Sequence, residues 1–163
     1  MDDALRQAAV QAISNVFETM FFVFLEPGDL GSAGLDPGTA GAEWLRCTIG
    51  FQGRIAGHLR LWIPYSLACE LATNFLGLET EASEAQAVDM VKELANMVCG
   101  NLFSIFDNQQ VYILDMPAAE LAALKTEPGA AGLPPGLRLD FLAEDRWIRL
   151  EIEPRPAPAG PNN

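Results

Sequence analysis

Residues 83–105 read SEAQAVDMVKELANMVCGNLFSI, and this stretch constrains the fold more than any other. At about 100° per residue around a helix, its apolar residues form one stripe that is wide enough to face a core. The stripe consists of Val91, Leu94, Ala95, Val98, Leu102 and Ile105. Ser83 is a suitable N-cap residue, and Gln86 three positions later completes a capping box. The stretch is therefore predicted to be a long helix with one buried face.

The opposite face of this helix carries Asp89, Glu93 and Asn96, followed by Gly100 and Phe103. Charged residues often only solvate a helix face, which is one interpretation of Asp89 and Glu93. Asn96 favours a binding surface instead, because asparagine is a poor helix-interior residue. Gly100 destabilises a helix by about 1 kcal/mol relative to alanine and would leave space beside Asn96 for a partner. Phe103 either contacts that partner or packs under a neighbouring loop.

The composition limits the classes of function. The chain has 163 residues, of which 50% are hydrophobic, and this predicts a single domain over residues 1–153. A net charge of −12, with ten basic residues scattered along the chain, argues against binding to nucleic acid or to an anionic membrane. The start at Met1 lacks the basic region of a signal peptide, and the apolar run 20–25 is too short to span a bilayer. A cytoplasmic protein is predicted.

Few residues could perform catalysis without help from a partner. Cys47, Cys69 and Cys99 lie far apart in apolar stretches, which predicts buried free thiols rather than disulfides or a zinc site. His58 is the only histidine and lies on a predicted strand, where a structural role is the more common one. The sequence shows no nucleophile motif or Walker loop. It therefore predicts no metal ion or cofactor of the protein's own.

The remaining sequence predicts an α+β fold. Apolar periodicity indicates a first long helix over residues 4–24, followed by a Gly/Pro-rich loop over residues 26–42. A shorter helix is expected over residues 64–76, ended by Gly77. Strands are predicted over residues 44–49, 55–63, 111–116, 137–141 and 148–152. One or two helical turns are predicted over 118–124, and a disordered Pro/Ala-rich tail over 154–163. Two long helices and a shorter one should thus pack on an antiparallel sheet of about five strands.

A weak internal repeat is also present. Ser14, Glu18 and Phe21 on the first helix repeat the spacing of Asp89, Glu93 and Asn96 on the later one, with phenylalanine in place of asparagine. The two halves of the chain could descend from one duplicated unit of which only the second keeps its polar face. Apolar helices often generate such a match by coincidence, which is the other interpretation.

The segment from Asp89 to Asn101, DMVKELANMVCGN, resembles the signature of the CheC/CheX/FliY family of chemotaxis phosphatases. In that signature an Asp or Ser precedes an E-x-x-N pair on an exposed helix. Residues 51–57, FQGRIAG, are similar to the hairpin of the family, and residues 68–77 are similar to its short second helix. The resemblance covers residues 4–153. One intact motif and a degenerate first-helix copy make the chain more similar to CheX than to CheC, which carries two sites.

The resemblance implies a phosphatase that dephosphorylates a phosphorylated CheY-like response regulator. Asn96 would hold the attacking water, as a glutamine does in small GTPases, and Glu93 would pair with the active-site lysine of the regulator. Mg²⁺ would be supplied by the regulator. Asp89 would either contact the partner at its edge or hold the helix face, while Gly100 and Phe103 would shape the contact.

Two other interpretations remain open, and so does the oligomeric state. The same helix could serve a non-catalytic adaptor that binds a regulator, a receptor-kinase array or a flagellar switch component. The polar face could also be only a solvated surface of a structural domain. A homodimer is expected, because CheX-like proteins pair through sheet edges and an unprotected edge tends to be covered by another chain.

Overall fold

Three α-helices and seven β-strands make up the part of the chain described by the computed structural model, residues 2–30, 43–123 and 136–155. The helices are α1 (Asp2–Phe21), α2 (Tyr65–Leu76) and α3 (Glu84–Phe106). The strands are β1 (Leu25–Gly28), β2 (Glu43–Gln52), β3 (Ala56–Pro64), β4 (Ile113–Leu114), β5 (Ala118–Ala123), β6 (Leu137–Ala143) and β7 (Arg146–Arg155). The predicted α+β class, with two long helices and a shorter one, is confirmed. No helix within the described ranges is long and apolar enough to cross a bilayer.

The strands form one antiparallel sheet in the order β1-β6-β7-β3-β2, and the far side of β2 pairs with both β4 and β5. All three helices pack on the same face of this sheet. The strand side chains that point to the helices are apolar and buried, and they include Leu45, Cys47, Ile49, Leu59, Leu61, Ile63, Phe141, Ile148, Leu150 and Ile152. The core therefore lies between the sheet and the helices, and the outward faces of the helices are free to carry a site.

The opposite face of the sheet carries ion pairs. Arg149 and Asp140 form a buried bidentate pair with distances of 2.7 and 3.2 Å, and the backbone N–H of Leu30 donates to the same carboxylate. Arg60 and Glu153 form a second bidentate pair across β3 and β7. A buried charge must be matched by a partner of opposite charge, and Asp140 supplies this partner for Arg149.

The pairing pattern of the strands has an internal symmetry. β2 and β3 form one hairpin, β6 and β7 form another, and β3 lies against β7 at the centre of the sheet. β1, which follows α1, pairs with β6, whereas β5, which follows α3, pairs with β2. Exchanging β1 with β5, β6 with β2 and β7 with β3 gives the same strand order, read from the opposite edge of the sheet. The topology thus supports the predicted internal repeat and makes α1 the counterpart of α3.

The helix ends follow the predicted signals. Ser83 Oγ accepts from the backbone N–H of Gln86, and Gln86 Oε1 accepts from the N–H of Ser83, so the capping box of α3 is confirmed. α2 ends at Gly77, which has a left-handed φ of 65° and donates its N–H to Asn74 O. Glycine adopts this conformation without a steric penalty.

Several predicted boundaries are wrong. Residues 118–123 form strand β5 rather than helical turns, because the open edge of β2 supplies backbone partners that outweigh the helix propensity of alanine. The strand predicted over 111–116 is reduced to Ile113–Leu114. β7 continues through Pro154 and Arg155, which were predicted to be part of a disordered tail. The sheet has seven strands instead of about five, since β1 and β5 were not predicted.

Other differences concern the first helix. α1 ends at Phe21, and Phe24, predicted in its apolar stripe, is 72% exposed. Phe22 turns the chain with a φ of 58°, after which residues 25–28, partly assigned to the predicted loop, pair with β6.

Of the predicted loop 26–42, residues 31–42 lie outside the described residues, as do residues 156–163 of the predicted tail.

Candidate functional site

The outward face of α3 carries Asp89, Glu93 and Asn96, and all three side chains are exposed. The predicted apolar stripe lies on the other side of the helix and is buried at Val91, Leu94, Ala95, Val98 and Leu102. Ile105 is the exception, because it is 38% exposed in the last turn of the helix. The predicted separation of a buried face from a presented polar face is confirmed.

No hydrogen bond or ion pair with any described residue engages the side chains of Asp89, Glu93 or Asn96. Their polar atoms are thus available to a ligand or partner. A helix holds the side chains at positions 93 and 96 on neighbouring turns of one face, about 5–6 Å apart at Cβ. The face can therefore present a carboxylate and an amide together to one partner group.

Gly100 leaves an opening one turn beyond Asn96. An ideal Cβ placed on this glycine would meet no atom within 4 Å. The space belongs to a pocket of about 200 Å³ at the C-terminal end of α3. The pocket is lined by Gly100, Phe103, Ser104, Asp107, Asn108, Gln110, Tyr112 and Leu114. The missing side chain of Gly100 therefore leaves open space, although Asn96 is not among the residues that line the pocket.

Phe103 is buried, with 3% of its surface exposed, so its predicted role as a direct partner contact is wrong. Its ring stacks on Tyr112 at a centroid distance of 4.1 Å and contacts Phe51 at 4.5 Å. The chain that follows α3 folds back over this end of the helix and covers the ring. Of the two interpretations of Phe103 from the sequence, packing beneath a neighbouring segment is the correct one.

Two charged residues at the end of α3 were not predicted. Asp107 is the C-cap residue, and its carboxylate lies 3.0 Å from Nε of Arg54, in the turn between β2 and β3. The guanidinium carbon of Arg54 also lies 6.0 Å from the ring centroid of Phe106. Asp107 follows Asp89 by five whole helical turns, since 18 residues at about 100° return to the same direction. That spacing could have indicated that Asp107 lies in line with Asp89, whereas nothing local in the sequence indicated Arg54 as its partner.

The cysteines do not contribute nucleophiles. Cys47, Cys69 and Cys99 are all buried and free, as predicted. Burial raises the pKa of the Cys47 and Cys99 thiols to about 12, and the charge of Lys92 offsets this only in part at Cys47. Both remain protonated thiols at neutral pH. Within residues 2–30, 43–123 and 136–155, no group of three His, Cys, Asp or Glu side chains is placed to hold a metal ion.

A protein-family model described as "Chemotaxis phosphatase CheX" matches residues 45–118, which include most of β2 and all of β3, α2 and α3 with Asp89, Glu93 and Asn96. No curated protein sequence matches the chain.

Solved structures match nearly the whole chain. CheX from Vibrio vulnificus is 20% identical with a TM-score of 0.72, covering 93% of this chain and 96% of that one. CheX from Desulfovibrio desulfuricans is 16% identical with a TM-score of 0.71, covering 93% and 99%. CheX in the CheX–CheY–BeF3–Mg²⁺ complex from Borrelia burgdorferi is 17% identical with a TM-score of 0.64, covering 91% and 96%. Identities this low show a likeness of fold.

The family-model match over residues 45–118 and the likeness of fold make this chain similar to the CheC/CheX/FliY group, which confirms the resemblance seen in the sequence. The similarity is to CheX in particular, because the matching family model is that of CheX and CheX structures align with the chain over nine-tenths of its length.

We expect Gly100→Ala to raise the free energy of unfolding by about 0.5–1 kcal/mol, because alanine favours the helix and its Cβ enters open space. Urea denaturation followed by circular dichroism measures the change. Gly57→Ala is the control, since a Cβ there would lie 2.1 Å from the carbonyl oxygen of Glu153 and should destabilise the protein. A destabilised Gly100→Ala variant would contradict the open space.

Proposed function

We propose that the protein accelerates hydrolysis of the phospho-aspartate of a CheY-like response regulator by inserting the polar face of α3 into the phosphorylation site. The observation that carries this proposal is the pair Glu93 and Asn96, exposed and without a described partner on a helix whose opposite face is buried. The CheX family match and the CheX–CheY–BeF3–Mg²⁺ complex of a structural relative support a CheY-like partner.

Asn96 positions the attacking water in this proposal. Its amide offers one acceptor and two donors, so it can hold a water in line with the phosphorus without acting as a base. The water oxygen forms a bond to phosphorus as the bond from phosphorus to the aspartyl oxygen breaks. The products are inorganic phosphate and the free carboxylate of the regulator. Mg²⁺ belongs to the site of the regulator and neutralises the phosphoryl oxygens.

Glu93 anchors the regulator by pairing with its active-site lysine. A carboxylate–ammonium contact contributes little in open water, but it strengthens when docking excludes solvent. Asp89, one turn earlier, either contacts the edge of the partner or holds the helix face. Because the chain carries a net charge of −12, long-range attraction to an acidic regulator is weak or repulsive, and recognition depends on such short-range contacts.

Dephosphorylation by an Asn96→Ala variant should fall by about a hundredfold or more, because the water loses its orientation while the docking surface stays intact. The decay of a phosphorylated CheY-type regulator from the same organism, with Mg²⁺, measures the rate. Asn101→Ala, an exposed asparagine elsewhere on α3, is the matched control and should retain wild-type activity.

Binding of the regulator by Asn96→Ala should remain close to that of the wild type. Equal losses of binding and hydrolysis would argue against a water-positioning role. If the wild-type protein binds a regulator but accelerates decay of none, the non-catalytic adaptor becomes the better interpretation.

For Glu93→Ala we expect an increase of about tenfold in KM with a smaller change in kcat, since a charge-assisted contact made on docking is lost. Glu18→Ala on α1 is the matched control, because Glu18 is an exposed glutamate at the corresponding place in the other half of the fold. Steady-state kinetics at low and high regulator concentrations separate the two constants. Full activity of Glu93→Ala at low regulator concentration would overturn the assignment.

We also propose that the protein pairs through a sheet edge. The outer side of β5 pairs with no described strand, and its sequence AAELAA lacks the lysine or proline that often protects an edge. Sedimentation velocity should show a species of about twice the 17.6 kDa chain mass. Leu121→Lys, which places a charge on this edge, should shift the species toward the monomer. A wild-type protein that stays monomeric at high concentration would contradict the proposal.

A further inference from the structure

The turn between β2 and β3 is fixed against the end of α3. A Cβ on Gly53 would lie 2.5 Å from the ring of Tyr112, so only glycine allows this close approach. The Tyr112 ring in turn stacks on Phe103 of α3, with the two planes inclined by 14°. The buried aromatic residue of the helix thus sets the position of the turn, and with it the position of Arg54.

Arg54 makes one ion-pair contact through Nε, which lacks hydrogen-bond geometry, and its other two nitrogens are open. Nε lies 3.0 Å from Asp107 Oδ2, and the guanidinium approaches the face of the Phe106 ring. The Asp107 side chain is only 10% exposed, whereas that of Arg54 is 62% exposed. Neither terminal nitrogen of the guanidinium has a hydrogen-bond partner among the described residues. The side chain is therefore oriented by its inner part and presents its outer edge to solvent.

The Asp107–Arg54 pair continues the polar line of α3. Asp107 lies in the same helical direction as Asp89, with Asn96 and Gly100 between them. Asp107 lies eleven positions after Asn96, which corresponds to about 16 Å along the axis. A folded domain of about 100 residues has a radius of gyration of about 13 Å. A partner domain seated on Asn96 and passing over the open space at Gly100 is large enough to reach Arg54.

We infer that Arg54 is a second contact for the response regulator and binds a carboxylate on its surface, an inference that rests on the proposed function. The planar guanidinium matches a carboxylate through two parallel hydrogen bonds. The phosphoryl group is not the ligand, because in the proposed function it sits at Asn96, whereas Arg54 contacts Asp107, about 16 Å further along the helix axis. Arg54 supplies attraction for an acidic partner on a face where Asp89, Glu93 and Asp107 supply none.

A purely structural role makes a different prediction. The last turn of α3 contains no basic residue, so Arg54 also places a positive charge near the C-terminal carbonyls of that helix. If this were its only role, removing Arg54 would lower the stability of the protein and leave regulator binding unchanged. Binding and stability must therefore be measured on the same variants.

The experiment compares Arg54→Ala and Arg54→Lys with Arg138→Ala, an exposed, ion-paired arginine on the opposite face of the sheet. Calorimetric titration with the beryllofluoride-activated regulator gives Kd, and decay of the phosphorylated regulator gives kcat and KM. We expect Arg54→Ala to raise Kd and KM about tenfold and to leave kcat within about twofold of the wild type. Arg54→Lys keeps the positive charge near the helix end but loses the planar guanidinium, which can bind a carboxylate through two hydrogen bonds. This variant should therefore retain stability and bind the regulator less tightly than the wild type. Arg138→Ala should bind normally.

Wild-type Kd and KM in both Arg54 variants would overturn the inference and leave the phosphatase proposal intact, provided that the wild-type protein itself accelerates decay. A wild-type protein that neither binds nor dephosphorylates any regulator of the organism would overturn both. Weaker binding of Arg54→Ala at unchanged unfolding free energy is the supporting result. If that variant is unstable, binding by Arg54→Lys decides between the two roles.

Discussion

The apolar stripe of α3 against the sheet is the contact on which the candidate site depends. Burial of Leu94, Val98 and Leu102 fixes the rotation of the helix, and this rotation alone sends Glu93 and Asn96 outward. A shift of one residue would turn the helix by about 100° and bury part of the polar face, at a large desolvation cost. The face of α3 that packs in the core and the face that carries the candidate site are thus set by the same periodic pattern of residues.

Both ends of α3 are fixed by contacts that differ in kind. The reciprocal capping box at Ser83 and Gln86 is local and satisfies N–H groups that the helix leaves unpaired. The other end is fixed by tertiary contacts, since Tyr112 stacks on Phe103 and Arg54 pairs with Asp107. In the proposed function Asn96 acts only by orienting water, and it would need such a rigid support, because a displacement of about 1 Å can reduce the rate a hundredfold. Phe103 therefore contributes to the site from beneath the surface.

The sequence predicted features whose cause is local. Helical periodicity predicted the buried and exposed faces of α3, the capping box predicted its N-terminus, and Gly77 predicted the end of α2. Each of these signals acts within a few residues. β5 could not be predicted in this way, because an alanine-rich segment becomes a strand only beside the open edge of β2. Phe103 and Arg54 depend on the chain that returns to the end of α3 and on a turn nearly fifty residues earlier. Contacts between distant segments decide these positions, and periodicity carries no information about them.

The internal symmetry explains why the chain presents one polar site of this kind within the described residues rather than two. α1 occupies the place of α3 in the other half of the fold, and Glu18 is exposed there, as Glu93 is on α3. Phe21 stands where an asparagine would be needed, and its ring packs on Phe17 and on Phe75 of α2. An aromatic side chain used in helix packing cannot orient a water molecule. The first half therefore has the architecture of the repeat, but the residue at the position of Asn96 is a partly buried aromatic residue that packs against the core.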